Sequence, residues 1–447
     1  MASAAEQFAS SMSLGTFSKA TELKQRIWFT LGALLVYRIG TYIPVPGVDA
    51  SVMGEMMAQH NGGMLGMFNM FSGGALGRMT VLALNIMPYI SASIIVQLMS
   101  SAIPSLETLK KEGESGRKKL NQYTRYLTVL IALVQSYGMA VGLESMRGNF
   151  GAAVIDPGLF FRVSCVITLV GGTMFLMWLG EQITARGVGN GTSLIIFAGI
   201  VANLPSAVVN LLELGRTGAL SPIFILLFLV IAVAVVMFVV FMERAQRRVT
   251  VQYPKRQVGQ RMFGGDSTHM PLKVNTAGVI PPIFASSLLL IPATIAGFAS
   301  NDPNSWLTWI GQKFGYGEPL HLLAYGALIV FFSYFYTAVT FNPQETAENL
   351  KKYGGFIPGV RPGSNTAEYF DIILTRLTTV GAIYLCIVCM LPEVLIARYG
   401  VPFYFGGTSL MIIVSVTMDT VTQIQSHLLA HQYEGLIRKS KGKGRAR

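Results

Sequence analysis

The chain has 447 residues and a formal net charge of +12. Hydrophobic residues make up 52% of it and charged residues only 13%, which excludes a string of soluble domains. Apolar stretches of about 20 residues, enough to cross the hydrocarbon of a bilayer, recur from end to end.

Ten spans are predicted, near 27–43, 80–102, 126–144, 160–180, 192–212, 222–242, 275–298, 321–341, 372–392 and 405–427. The fold class is therefore an all-α polytopic membrane protein. Residues 1–26 carry Glu6, Lys19, Glu22 and Lys24 and no short apolar core with a small-residue cleavage site. The first span is thus expected to insert and stay. With residues 1–26 inside and the loops alternating, most of the 34 Lys and Arg fall on the inner side. That asymmetry predicts that both termini are cytoplasmic. It also accounts for the basic charge without nucleic acid, so no direct DNA binding is expected. Cys165, Cys386 and Cys389 all lie in predicted spans and read as packing residues rather than a disulfide framework.

The first span stops at Pro44-Val45-Pro46-Gly47. In the outer excursion 48–79, Met64, Leu65, Met67, Phe68, Met70 and Phe71 crowd a Gly-rich stretch too short and interrupted to cross a bilayer. The second span then carries Asn85, Pro88, Ser91, Ser93 and Gln97. Polar groups are costly in hydrocarbon, so this face should turn toward protein or water. A re-entrant apolar segment leading into a polar-faced span suggests a plug beside a pore. The inner loop with KKEGESGRKK suits a topological anchor and a docking surface equally. The fifth span opens on EQITARGVGNG, a short, Gly-rich start of the kind that lines a central path.

The loop at about 243–274 alternates β-formers with charge (RRVTVQY, PKRQVGQRMFGG) and is predicted to be a hairpin. In the loop at about 342–371, Gly354, Gly355, Pro358, Gly359, Pro362 and Gly363 call for tight turns. Residues 428–447 form a basic tail, expected to be flexible after Gly435. One echo links the second and seventh spans. Met87–Ser93 (MPYISAS) and Ile280–Ser286 (IPPIFAS) share Pro, Ile, Ala and Ser in register. That placement suits two inverted repeats, 27–214 and 215–427, meeting at a central path.

Groups for chemistry are sparse. No HExxH, GxSxG or GxxxxGK occurs. His60, His269, His321, His427 and His431 all avoid the middles of spans. His427, His431 and Glu434 stand at metal-ligand spacing, but one helix would supply all three, and a solvated helix end is the simpler reading. Asp419 suits a pairing near the cytoplasmic side, because an ion relay needs partnered acids. No catalytic residue, metal or cofactor is expected, and active transport would draw on a nucleotide-hydrolysing partner or an ion gradient. Ile86 and Ile90 share a helix face, and Ile283 echoes Ile90. A ring of branched aliphatic side chains can exclude water by dewetting and widen for a larger passenger. The pattern alone suits helix packing as well.

The segments FNMFSGGAL, IMPYISASIIVQL, KKEGESGRKK, GTMFLMWLGEQIT, GNGTSLIIFAGIVA, STHMPLKVN, GVIPPIFASS, FNPQETAENLKK, GVRPG and VPFYFGGTSL occur in that order. Together they resemble the SecY family, central subunits of the bacterial protein translocation channel, over almost the whole chain. The resemblance implies ten transmembrane helices in two inverted pseudosymmetric halves around a pore. It implies a short plug helix at about 66–79, including Phe68, Asn69, Met70, Phe71, Ser72, Gly73 and Gly74. It places a pore ring at Ile86, Ile90, Ile196, Ile283 and Ile412. Thr192 is more polar than the residue relatives commonly have there.

The resemblance also implies a lateral gate between the second and seventh spans, helped by the third and eighth, at Ser91, Ser93, Gln97, Ser286, Ser287 and Ile291. Its polar contacts would be weak and reversible, about 0.6 kcal/mol each. Lys255, Arg256, Arg261 and Arg361 correspond to docking surfaces, with Gln260 where relatives often have Arg. The implied partners are the small membrane subunits SecE and SecG, the SecA ATPase motor, the ribosome, signal peptides and nascent chains, and membrane lipids. The implied place is the bacterial cytoplasmic (inner) membrane. The implied role is a non-enzymatic channel that passes unfolded secretory polypeptides and releases hydrophobic segments laterally. A secondary solute transporter with inverted repeats is the alternative, disfavoured by the lack of paired intramembrane charges. A membrane-embedded enzyme is disfavoured by the missing catalytic constellation.

Overall fold

The computed structural model describes residues 21–59, 69–145, 147–148, 151–218, 221–253, 256–258, 261–263, 267–298, 313, 318–399 and 407–443. The chain forms two compact units. The first is Met1–Val96 with Arg117–Asn210 and Ile412–Arg447; the second is Gln97–Gly116 with Leu211–Met411.

In the first unit, α1 (Thr21–Gly40), α2 (Ala50–Gln59) and most of α3 (Met87–Ala102) precede α5 (Glu114–Ser145). A two-stranded pair, β1 (Arg147–Gly148) and β2 (Gly151–Ala152), leads into α6 (Leu159–Arg186) and α7 (Gly191–Ala202). The α6–α7 link shows how local chemistry sets a boundary. Gly187 ends α6, and the Asn190 side chain caps α7 by accepting from the Thr192 amide. Between them, the Val188 amide donates to Thr30 Oγ1 of α1 (3.0 Å) and the Gly189 amide to Gln423 Oε1 (2.8 Å). Gln423 lies on the last helix, α14 (Gly407–Lys443), whose Leu428 packs with Leu23 and Val188. The last helix from Ile412 onward therefore folds with the N-terminal spans.

The second unit holds α4 (Pro104–Lys111), the end of α8 (Leu204–Arg216), α9 (Pro222–Arg244), α10 (Ile280–Phe298), α11 (Pro319–Thr340), α12 (Pro343–Lys352) and most of α13 (Ser364–Tyr399). Leu226, Leu229, Val230, Val233 and Phe241 of α9 are all exposed, a surface that only a lipid or an apolar partner can cover. The predicted hairpin is present. β3 (Gln246–Gln252) pairs antiparallel with β6 (Ser267–Lys273), and β4 (Arg256–Val258) pairs with β5 (Arg261–Phe263) between them. It is bound to the turn-rich loop: Gln252 and Phe356 exchange two backbone hydrogen bonds of 2.9 Å. Val249, Leu272, Ile357, Phe370 and Ile373 form a small core beneath.

Among the described residues, seven helices are long and apolar enough to cross a membrane. There are eight if α3 and α4, bent by 105°, count as one. Every one of the ten expected stretches contains helix. The second begins at Met87 rather than near 80, and 72–86 runs as turns interrupted by a bridge from Thr80 to Pro44. Met79 (φ 46°) and Asn85 (φ 51°) lie in the left-handed region, which interrupts a right-handed helix. The expected plug segment is described from residue 69: among its described residues 69–71 are helical, and Gly73 (φ 67°) and Gly74 (φ 83°) then turn the chain.

Candidate functional site

In the first unit, the 69–86 stretch is held in two ways. Internally, Asn69 closes the turn: its Oδ1 accepts from the Gly77 amide (2.7 Å) and its carbonyl from the Gly74 amide (2.8 Å). Ser72 Oγ accepts from the Leu76 amide (3.2 Å). The stretch is also tied to the segment that follows α1, with the Val45 amide donating to Met79 O and the Val81 amide to Ile43 O, both 2.9 Å.

Four successive carbonyls of the turn accept from side chains outside residues 69–79. Asn203 Nδ2 donates to Met70 O (3.2 Å), Asn85 Nδ2 to Phe71 O (2.8 Å), Tyr37 OH to Ser72 O (3.2 Å) and Arg38 Nη1 to Gly73 O (2.8 Å). Arg78 Nη2 also reaches Gly73 O, at 3.4 Å. The guanidinium carbons of Arg38 and Arg78 lie 5.0 and 4.1 Å from the Tyr42 ring centre, within cation–π range. From behind, α7 presents Gly199. A Cβ there would collide with the Phe71 carbonyl oxygen, so glycine is what lets the two backbones meet.

Of the isoleucines expected to line a pore, Ile86, Ile90, Ile196 and Ile412 are buried in the first unit; Ile283, in the second, is half-buried. The ends of Ile86 and Thr192 approach one spot on α6. A Cβ built on Gly180 would lie 3.6 Å from Ile86 Cδ1 and 3.5 Å from Thr192 Cγ2. The Thr192 hydroxyl donates to Asn190 Oδ1 at 2.7 Å. The more polar residue thus turns its hydroxyl to the helix cap and its methyl toward Ile86.

Ser91, Ser286 and Ser287 are buried, and Ser93 and Gln97 are half-buried. Ser286 and Ser287 both donate to Ile283 O of their own helix, at 2.9 and 2.8 Å. Ile291 belongs to α10, but its side chain lies outside the described residues, as do Phe68, Lys255 and Gln260 altogether. Arg256 and Arg261 sit on β4 and β5, paired with Phe263 and Val258. Arg361 is exposed on the turn before α13, where its carbonyl accepts from Thr366 Oγ1 (2.9 Å). Asp419 is exposed. No group of three or more metal-ligating side chains occurs among the described residues.

Two features escaped the sequence reading. Tyr37, Arg38 and Asn203 surround the 69–74 turn, and the available signal was a Tyr-Arg pair at the end of a span with no acid in helical reach. The other is a buried pair in the second unit, His321 Nε2 to Glu393 Oε1 at 3.1 Å. Tyr325 stacks on His321 and its hydroxyl meets Thr408 Oγ1 (3.1 Å). His321 and Glu393 stand on α11 and α13, so no local spacing announces them.

The SecY family profile matches residues 80–421. A protein translocase subunit SecY of Rickettsia bellii is 56% identical over 427 residues, 95% of this chain and 98% of the relative. That of Escherichia coli K12 is 55% identical over 427 residues, covering 95% and 96%. Among solved structures, a SecY whose plug domain stabilises the closed state of the translocation channel aligns with a TM-score of 0.65. It is 18% identical, with 91% of this chain and 92% of that one covered. Sec61 in the canine ribosome–channel complex aligns at 0.61 with 16% identity, covering 91% and 92%.

Proposed function

Since this chain belongs to the SecY family of protein translocase subunits, we propose that it passes unfolded secretory polypeptides across the bacterial inner membrane and releases hydrophobic segments sideways into it. The chain is a multi-pass membrane protein with several apolar spans. The observation that carries the reading is its 56% identity to a protein translocase subunit over 95% of its length.

The physical chemistry of the site agrees. A passenger of arbitrary sequence cannot be served by specific hydrogen bonds, so the constriction has to be apolar and yielding. We assign that role to Ile86, Ile90, Ile196, Ile283 and Ile412, the plug to the turn at 69–79, and the seam for lipid-bound segments to Ser91, Ser93, Gln97, Ser286, Ser287 and Ile291. Both termini and the β3–β6 hairpin are cytoplasmic in this reading, supported by the placement of Lys and Arg. The hairpin and the Arg361 turn are the docking face for the ribosome and for a SecA motor, with SecE and SecG completing the channel. The energy comes from those partners, and the chain itself is not an enzyme.

Planar-bilayer conductance of the purified channel tests the ring. Ile90→Asn replaces a dewetting side chain by one that hydrogen-bonds water and should raise the resting conductance. Ile94, equally withdrawn from solvent, controls for lost packing. A channel in which Ile90→Asn conducts no more than wild type, or Ile94→Asn conducts as much as Ile90→Asn, has no such ring.

A further inference from the structure

We propose that Tyr37, Arg38, Asn85 and Asn203 form the seat of the plug and hold it closed by gripping its backbone rather than its side chains. The proposal rests on the reading of 69–79 as the plug. Its basis is the run of four consecutive carbonyls, Met70 to Gly73, each meeting a side-chain donor at 2.8–3.2 Å. The donors come from three places: α1, the 80–86 turn, and Asn203 between α7 and α8. Carbonyls in a tight turn lack the regular partners of a helix, and an unmatched one buried in a membrane protein is costly. Met70 O and Ser72 O also accept from the Gly73 and Ala75 amides of the turn itself, at 3.1 and 3.4 Å, whereas Asn85 and Arg38 supply the Phe71 and Gly73 carbonyls from outside it, so seating the plug and satisfying those two carbonyls are the same event.

Asn85 shows what this arrangement costs. It holds a left-handed conformation, φ 51°, which a residue with a side chain rarely adopts. Its Oδ1 is buried without a partner, yet its Nδ2 makes the 2.8 Å bond to Phe71 O. Local stability alone would favour glycine at such a position. Asparagine tolerates this region better than other residues with a side chain, and it adds a donor that glycine lacks. Gly199 completes the seat, since only a residue with no Cβ lets α7 back against the Phe71 and Gly73 backbone.

The test is the resting conductance of the purified channel complex in planar bilayers. Tyr37→Phe deletes one hydroxyl, Asn85→Gly deletes one donor while relieving the backbone, and Asn203→Ala deletes a third. A net hydrogen bond of ordinary strength corresponds to about fivefold in the closed-to-open ratio. Each single variant should therefore raise the leak about fivefold, and the triple variant about a hundredfold, up to the level of a channel lacking 69–79. Tyr325→Phe removes a comparable buried hydroxyl, bonded to Thr408 in the second unit, and should leave the leak unchanged. If deletion of 69–79 raises the leak and the triple variant does not, the seat is refuted and the plug reading stands. If Tyr325→Phe leaks as much as Tyr37→Phe, the effect is general loosening and the seat is again refuted. If the deletion itself leaves the leak at the wild-type level, the plug reading fails and takes the seat with it.

Discussion

Phe370→Ala should detach the β3–β6 hairpin, the proposed docking face, while leaving the membrane spans in place. Phe370 is fully buried among Val249 and Leu272 of the hairpin, Ile357 of the turn and Ile373 of its own helix, with Phe341 edge-on at 6.2 Å. Truncating such a phenylalanine costs about 3–5 kcal/mol, because the small core cannot collapse over the cavity. The two Gln252–Phe356 backbone bonds that also join hairpin to turn contribute about 1 kcal/mol each. Loss of the ring therefore outweighs them together. Hydrogen exchange should accelerate about a hundredfold or more in 246–252 and 267–273, with no change in α6 or α7. Ribosome binding should weaken in parallel, since an unfixed face must be ordered on contact. Unchanged exchange in the hairpin would refute the packing argument; faster exchange with undiminished binding would refute its link to docking.

Arg361→Glu should weaken ribosome- and motor-driven transport without altering thermal stability by more than about 0.5 kcal/mol, because the residue is exposed; normal transport by this variant would remove it from the docking face. Gly199→Val should raise resting conductance, since its Cβ meets the Phe71 carbonyl oxygen and lies 3.2 Å from the Gly73 nitrogen, neither of which can move aside without shifting the turn. An unchanged leak would mean that α7 yields instead. Thr192→Val should leave the leak unchanged because the hydroxyl already serves Asn190, and a rise would show that this hydroxyl matters to closure.

The spans were legible because length and apolarity are one-dimensional properties, and each expected stretch contains a helix. The β3–β6 hairpin was legible because RRVTVQ alternates side chains across two faces, and Val249 and Val251 are the buried ones. The start of α3 was not. Thr80 to Ile86 has the composition of a span, and nothing in it except Asn85 hints at left-handed backbone. The buried His321–Glu393 pair and the side chains around Met70–Gly73 were invisible for another reason. Each joins residues distant in sequence, and a carbonyl acceptor has no letter in the sequence. Thr192 was readable as an exception in polarity, but its orientation follows from a cap at Asn190 that only the fold reveals.

A plug held by its backbone has a consequence for partners. Four side-chain bonds of ordinary strength sum to about 4 kcal/mol, a closed-to-open ratio near a thousand. Reversing such an equilibrium to 99:1 open takes differential binding of about a hundred-thousandfold, or about 7 kcal/mol. That is within reach of a ribosome docked on a preorganised face, but not of a contact indifferent to the state of the plug. The proposed docking hairpin and the proposed seat belong to different units, so coupling between them has to be measured as a free energy. Linkage fixes its sign. If ribosome binding favours the unseated plug, any variant that unseats the plug must tighten ribosome binding by at most the factor by which it favours opening. Tyr37→Phe, far from the hairpin in sequence and expected to raise the leak about fivefold, should then lower the ribosome dissociation constant by up to the same factor. Tyr325→Phe should leave it unchanged. A Tyr37→Phe channel that leaks more yet binds ribosomes with wild-type affinity would mean that docking and plug release are independent, and that the arriving chain alone displaces the plug.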